Sequence, residues 1–190
     1  IKLIIYKYFF TFANKIGYLK LYFDFMIRIF DLFFSLLGLV FTFPIILASL
    51  FLVWTEDKNN PIYLAKRVGK NGKTFKMIKV RTMIINAEKS GVDSTSANDK
   101  RITNIGKIIR RFKIDELPQL INIFMGQMTL VGPRPNDIRD TSIYTKVERR
   151  LLNVKPGLTD FASIVFPDES EILAFEDDPD VAYNQLIRPT

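Results

Sequence analysis

The run LFFSLLGLVFTFPIILASLFLVW, Leu32 to Trp54, carries no charge over 23 residues. As a straight helix it would be roughly 34 Å long, enough to cross a hydrocarbon core of about 30 Å. It is too long and too far from Ile1 for a signal peptide, and no small-residue cleavage site follows it. A single spanning helix is one reading. Pro44 favours another, because it removes a backbone hydrogen bond in mid-run and clashes with the turn before it. A re-entrant helix–break–helix makes fuller use of that break. The flanks agree: Lys2, Lys7, Lys15, Lys20 and Arg28 precede the run, and a basic block begins at Lys58. Positive charge on both sides fits two cytoplasmic ends better than one. The expected organisation has three parts: residues 1–24 form an amphipathic interfacial segment, 25–57 a re-entrant membrane helix broken at Pro44, and 58–190 a cytoplasmic catalytic domain.

Composition narrows the chemistry. The 190 residues carry a net charge of +7, with no cysteine and no histidine. Disulfides and thiolates are excluded, as are the commonest general base and transition-metal ligand. Catalysis must use carboxylate, lysine, arginine, hydroxyl or a hard cation. Between Lys58 and Lys113 there are 15 Lys/Arg against three acids, whereas 167–180 holds seven acids and no base. Beside a membrane segment, the basic block suits anionic lipid and phosphate. A nucleic-acid platform would need stacking aromatics there, and most of the aromatics lie in the apolar N-terminal part. No nucleic-acid partner is therefore expected.

The domain reads as α+β, small and mainly helical with short strands. Ile62–Lys66 and Thr74–Val80 have strand character and are joined by a turn at Gly69–Gly72. A helix is expected from Thr82 to about Lys89, then a polar loop over Ser90–Lys100. A helix over Asn104–Lys113 would place Ile105, Ile108, Ile109 and Phe112 on one face. Met128–Val131 reads as extended and Asn136 to about Leu152 as a polar helix. Phe161–Phe166 reads as a strand and Glu169–Phe175 as a short acidic helix.

The chemistry concentrates at Lys113-Ile114-Asp115-Glu116-Leu117-Pro118-Gln119-Leu120, directly after Arg110-Arg111. Pro118 is tolerated only near a helix start, and Leu117, Leu120, Ile121 and Phe124 recur at helical spacing up to Gly126. Two carboxylates at a helix start beside arginines favour an ionised acid and gather phosphate. Asp115 can serve as a nucleophile and Glu116 can hold Mg²⁺. Arg110, Arg111 and Arg134 can neutralise a diphosphate. Lys79 and Arg81, two residues apart, form a second cationic pair on one strand face.

The same string, continued through Asn122, Gly126, Met128 and Leu130-Val131-Gly132-Pro133-Arg134-Pro135, resembles the signature of the bacterial sugar transferases, the monotopic polyprenyl-phosphate phosphoglycosyl transferases. Arg67-Val68-Gly69, Lys79-Val80-Arg81-Thr82-Met83, Arg101-Ile102-Thr103 and Lys155-Pro156-Gly157-Leu158-Thr159 agree in order. The resemblance implies transfer of a sugar 1-phosphate from a UDP-sugar to polyprenyl (undecaprenyl) phosphate. This would occur at the cytoplasmic face of the bacterial inner membrane, as the first membrane step of surface glycan assembly. It implies that Asp115 attacks the phosphate next to the sugar, that uridine monophosphate leaves, and that the phosphosugar stays on Asp115 until polyprenyl phosphate removes it. Glu116 is implied as the Mg²⁺ ligand and Arg134 as a phosphate contact. Two departures stand out. Phe43 precedes Pro44 where the family has serine or similar, and Asp160 follows Thr159 where glycine is common. The family usually continues past Ile187-Arg188-Pro189, so the resemblance also implies a shortened C-terminus. A non-catalytic membrane scaffold in glycan assembly is the alternative. Sugar identity and oligomeric state are not legible.

Overall fold

The computed structural model describes residues 2–87 and 99–160, with side chains from Leu19 onward. It is a mixed helix-and-strand protein with one long apolar N-terminal helix. That helix, α1, runs Lys2–Asp57. Strands β1 (Ile62–Val68) and β2 (Thr74–Val80) form an antiparallel hairpin. Helix α2 (Asn104–Arg111), a 3₁₀ turn at Ile114–Glu116 and helix α3 (Gln119–Phe124) follow. β3 (Thr129–Val131) and β4 (Gly157–Thr159) pair in parallel, and α4 (Ile138–Ser142) lies between them.

α1 is inside-out relative to a soluble helix. Asp31, Ser35, Ile46, Ser49 and Val53 are buried, and Gly38 faces Leu120 at close range. These positions recur every three or four residues and make a largely small or polar stripe against the domain. Phe30, Phe33, Val40, Phe41, Phe43 and Phe51 are exposed on the remaining surface. Bulky apolar side chains outward and small or polar ones inward is the arrangement expected when lipid, not water, is outside. Polar bonds fasten the stripe at one end. The Arg28 guanidinium donates to the carbonyls of Ile123 and Phe124, each at 2.7 Å, and Asp31 Oδ1 accepts from Thr129 Oγ1 and Leu130 N. Near the other end, Val53 packs with Val80 and Ile109.

The backbone stays helical through Pro44, where a break was expected. Thr42 donates to the Gly38 carbonyl at 2.7 Å and not to the Val40 carbonyl that Pro44 leaves free.

Several local expectations are corrected. Residues 82–86 are not helical, because the backbone of Thr82 to Ile84 is used in pairing. Thr82 O accepts from Thr103 N, Ile84 N donates to Arg101 O, and Met83 bridges Ile102. Gly106 lets α2 approach this segment, since a Cβ there would collide with the Thr82 carbonyl. On α2, Ile105 and Ile109 pack inward while Ile108 and Phe112 are 60% and 67% exposed, so the apolar face is split in two. The polar helix expected to reach Leu152 is two short pieces, α4 and a 3₁₀ segment at Glu148–Asn153; Tyr144 is buried between them. The strand expected at 161–166, the helix at 169–175 and most of the 90–100 loop lie outside the described residues.

Candidate active site

Asp115 and Glu116 sit in the 3₁₀ turn, not in α3 itself. Lys113 opens that turn in the left-handed region (φ 55°), and Pro118 separates it from the first residue of α3. The helix-start setting read from the sequence is thus a single tight turn plus a six-residue helix, a weak dipole.

β2 supplies the opposite wall. Lys79 Nζ donates to Glu116 Oε1 at 2.9 Å. The odd-numbered residues of the hairpin share one face, so Arg67 of β1 joins Lys79 there, and both line a cleft with Glu116, Gln119, Arg134 and Asp160. The cleft holds about 70 Å³, room for a phosphate-sized group and its first shell, so a larger ligand would extend beyond it. Three cations and two carboxylates therefore converge on one opening. Arg134 arrives on the Gly132–Pro135 turn, which β3–β4 pairing fixes: Gly132 N donates to Thr159 O (3.0 Å) and Gly157 N to Pro133 O (2.9 Å).

Asp115 is next to Glu116 in the turn but does not line this cleft. It is 6% exposed, and its Oδ1 is buried with no hydrogen-bond partner. Burial, the largest influence, raises its pKa; the Lys79 charge lowers it, the Glu116 charge raises it and Arg110 lowers it, with a net shift upward from 3.8. The sequence reading that this setting favours ionisation is corrected here, because desolvation outweighs the nearby cations. For Glu116 the balance is reversed. Burial pushes it up, but the charge and hydrogen bond of Lys79, with Arg134 and Lys113, hold it below the ordinary glutamate value.

The other expected residues divide. Arg110 is close enough for its charge to act on Asp115 and Glu116, and its Nε donates to Thr82 Oγ1 at 3.1 Å. Arg111 is exposed and does not line the cleft. Arg81 faces elsewhere, since β2 ends at Val80 and the chain turns. Its guanidinium binds both oxygens of Asp57 at 2.7 Å, the Asn60 carbonyl at 2.7 Å and the Met83 carbonyl at 3.4 Å. Arg81 therefore clasps the end of α1 to the domain.

Asn122 received no role from the sequence, yet it sets the two walls relative to each other. It is fully buried. Its Oδ1 accepts from Ile78 N at 2.9 Å, and its Nδ2 donates to the Lys76 carbonyl at 2.8 Å and to Gln127 Oε1 at 2.7 Å. One side-chain amide thus stands in for a neighbouring strand on the free edge of β2 and locks α3 beside Lys79.

A Mg²⁺ ion fits this donor set. Mg²⁺ takes one or two carboxylates and completes its shell with water and substrate phosphate, so the lack of a three-acid cluster among the described residues is no obstacle. Glu116 keeps an oxygen that Lys79 does not hold, and the unpartnered Oδ1 of Asp115 is next along the chain.

Comparison with known proteins agrees with the motif string. The family model described as bacterial sugar transferase matches residues 22–186. A Bacillus subtilis (strain 168) protein, whose name provisionally gives it an undecaprenyl-phosphate N-acetylgalactosaminyl 1-phosphate transferase activity, is 42% identical over 132 residues, 70% of each chain. The Aeromonas hydrophila UDP-N-acetylgalactosamine-undecaprenyl-phosphate N-acetylgalactosaminephosphotransferase is 37% identical over 64% of this chain and 30% of its own length. The Klebsiella pneumoniae UDP-glucose:undecaprenyl-phosphate glucose-1-phosphate transferase is 36% identical over 72% of this chain and 30% of its own. The chain thus spans under a third of the latter two relatives. With the ordered motifs, the carboxylate pair and the matched region in agreement, this chain belongs to the bacterial sugar transferase family.

Proposed function

We propose that this protein transfers a sugar 1-phosphate from a UDP-sugar to polyprenyl phosphate through a covalent phosphosugar on Asp115. The observation that carries the reading is the convergence of Lys79, Arg67 and Arg134 with Glu116 in one cleft, with Asp115 next to Glu116 and within reach of the Lys79 charge. A carboxylate oxygen of Asp115 bonds to the phosphorus next to the sugar, and the bond from that phosphorus to the bridging oxygen breaks. Uridine monophosphate leaves with the electron pair. A phosphate oxygen of the polyprenyl carrier then bonds to the same phosphorus and the Asp115 carboxylate is released, leaving a lipid diphosphate sugar. Lys79, Arg67 and Arg134 hold the diphosphate oxygens, and Arg110 supports the charge at Asp115. Glu116 would hold Mg²⁺, which when bound supplies charge neutralisation on the phosphate oxygens. The buried, under-hydrated Oδ1 must turn toward the cleft for attack.

The test is release of uridine monophosphate from a UDP-sugar without any lipid acceptor. A covalent enzyme releases about one equivalent and stops, and polyprenyl phosphate restores turnover. Release that strictly requires the acceptor would contradict the two-step course, and the absence of release with any donor and acceptor would favour the scaffold alternative.

Charge balance at Asp115 gives a pH prediction. Attack needs the ionised acid, and burial raises its pKa. Activity is thus lost as pH falls through a value above the ordinary aspartate range. Lys79 opposes that rise, so Lys79→Met is expected to move the acid limb of the release-rate profile to still higher pH. An unmoved or lowered limb in that variant would show that Lys79 does not act on Asp115.

The membrane reading follows from α1. Its domain contacts run from Arg28 to Asp57, a stretch roughly 44 Å long. A perpendicular span would draw the domain beside it into hydrocarbon. Exposed Phe112 on α2 and Phe124 and Met125 on α3 add further apolar surface. The course proposed here bends α1 at Pro44 in the bilayer, without unwinding it, so that both ends return to the cytoplasmic face and the domain rests at that boundary. The chain has no cysteine, so single cysteines at Lys20 and Lys58 can be labelled with an impermeant maleimide. Both are expected to react from the cytoplasmic side only; opposite-side labelling of Lys20→Cys would establish a span.

A further inference from the structure

Two carboxamides lie three residues apart in α3, and they are used in opposite ways. Asn122 satisfies its amide inside the protein. Gln119 is only 3% exposed and lines the cleft, yet its side chain has no hydrogen-bond partner among the described residues. Nor are its polar atoms sealed away, as Asp115 Oδ1 is. A nearly buried amide with nothing to bond is unfavourable until something enters and bonds it.

The chemistry of the entering group follows from the neighbours. Lys79, Arg67 and Arg134 already provide cations for phosphate. A neutral amide offers one acceptor and two N–H donors, which suits a neutral polar group that can both give and take a hydrogen bond. Gln119 and Glu116, three residues apart on either side of Pro118, line the same cleft. In the donor, the group bonded to the reacting phosphate is the sugar. We propose that Gln119 hydrogen-bonds a hydroxyl or acylamino group of the donor's sugar and thereby holds the sugar in the cleft. This rests on the transfer reading above and adds a sugar-positioning residue to it.

The test uses the full chain with Asp115→Asn to prevent turnover. Calorimetric binding of UDP, UDP-glucose and UDP-N-acetylgalactosamine is compared with and without Gln119→Leu. At least one UDP-sugar is expected to weaken about tenfold or more, as when a polar partner in a binding site is left unmatched, while UDP itself is unaffected. Since the Gln119 side chain makes no hydrogen bond among the described residues, the unfolding temperature is expected to stay within about 2 °C. Gln119→Glu keeps size and acceptor but loses the N–H donors, and covers the case in which leucine disturbs packing. Equal weakening of UDP and UDP-sugars would place Gln119 on the nucleotide and overturn the inference, as would unchanged affinity for all three. If the Asp115→Asn protein binds none of them, the transfer reading fails, and the inference with it.

Discussion

Asp115→Asn is expected to abolish release of uridine monophosphate, lowering the rate by about 10⁴-fold or more, the scale on which a covalent nucleophile is lost. The amide has the same shape but cannot form the ester bond to phosphorus. The fold should not suffer. Oδ1 is buried without a partner, and burial opposes ionisation of this carboxyl. At neutral pH the ionised group thus costs the native state stability that a neutral amide does not, so the unfolding temperature is expected to be unchanged or higher. A dead enzyme that is at least as stable is the signature of a group kept for chemistry and not for packing. Retained release in this variant would remove Asp115 from the reaction; a large drop in unfolding temperature would give it a structural role instead.

The second large effect is structural. Gly157→Ala is expected to destabilise the protein by about 3 kcal/mol or more, the upper range for forced overpacking, and to lower the unfolding temperature by roughly 10 °C. A Cβ on Gly157 would overlap the backbone N and O of Gly132 and come within 2.7 Å of its Cα. Backbone cannot yield as a flexible side chain can. The contact joins the turn that carries Arg134 to the strand beside Asp160, so activity should fall with stability. Thermal unfolding of the detergent-solubilised variant checks this, and a midpoint like that of the parent would mean the two glycines do not meet.

What the sequence disclosed, and what it concealed, follows from how local each signal is. The hairpin was legible because alternation and the Gly69–Gly72 turn act within a dozen residues. The apolar run was legible by length. Lys79, Glu116 and Arg134 were foreseen individually and do line one cleft. Period 2 pairs Arg81 with Lys79 on paper, but that period continues only while the strand does. The strand stops at Val80, and Arg81 turns to Asp57 at the end of α1, 24 residues away. Arg67 could have been found by folding the hairpin on its turn, which puts it on the Lys79 face. Gln119 and Asn122 looked like ordinary helix residues, because nothing local separates an amide that bonds a distant strand edge from one that waits in a cleft. The helix expected from Thr82 failed for a related reason: its backbone partners, Arg101 and Thr103, are about twenty residues on.

The account stands or falls on a phosphorus–oxygen bond at residue 115. The detergent-solubilised protein is incubated with Mg²⁺ and a panel of UDP-sugars without lipid acceptor, and its intact mass is measured, followed by peptide mapping. One donor is expected to add the mass of one sugar phosphate, carried on the peptide containing Asp115 and removed by polyprenyl phosphate. Uridine monophosphate released with no mass gain, or an adduct mapped to another residue, would contradict it.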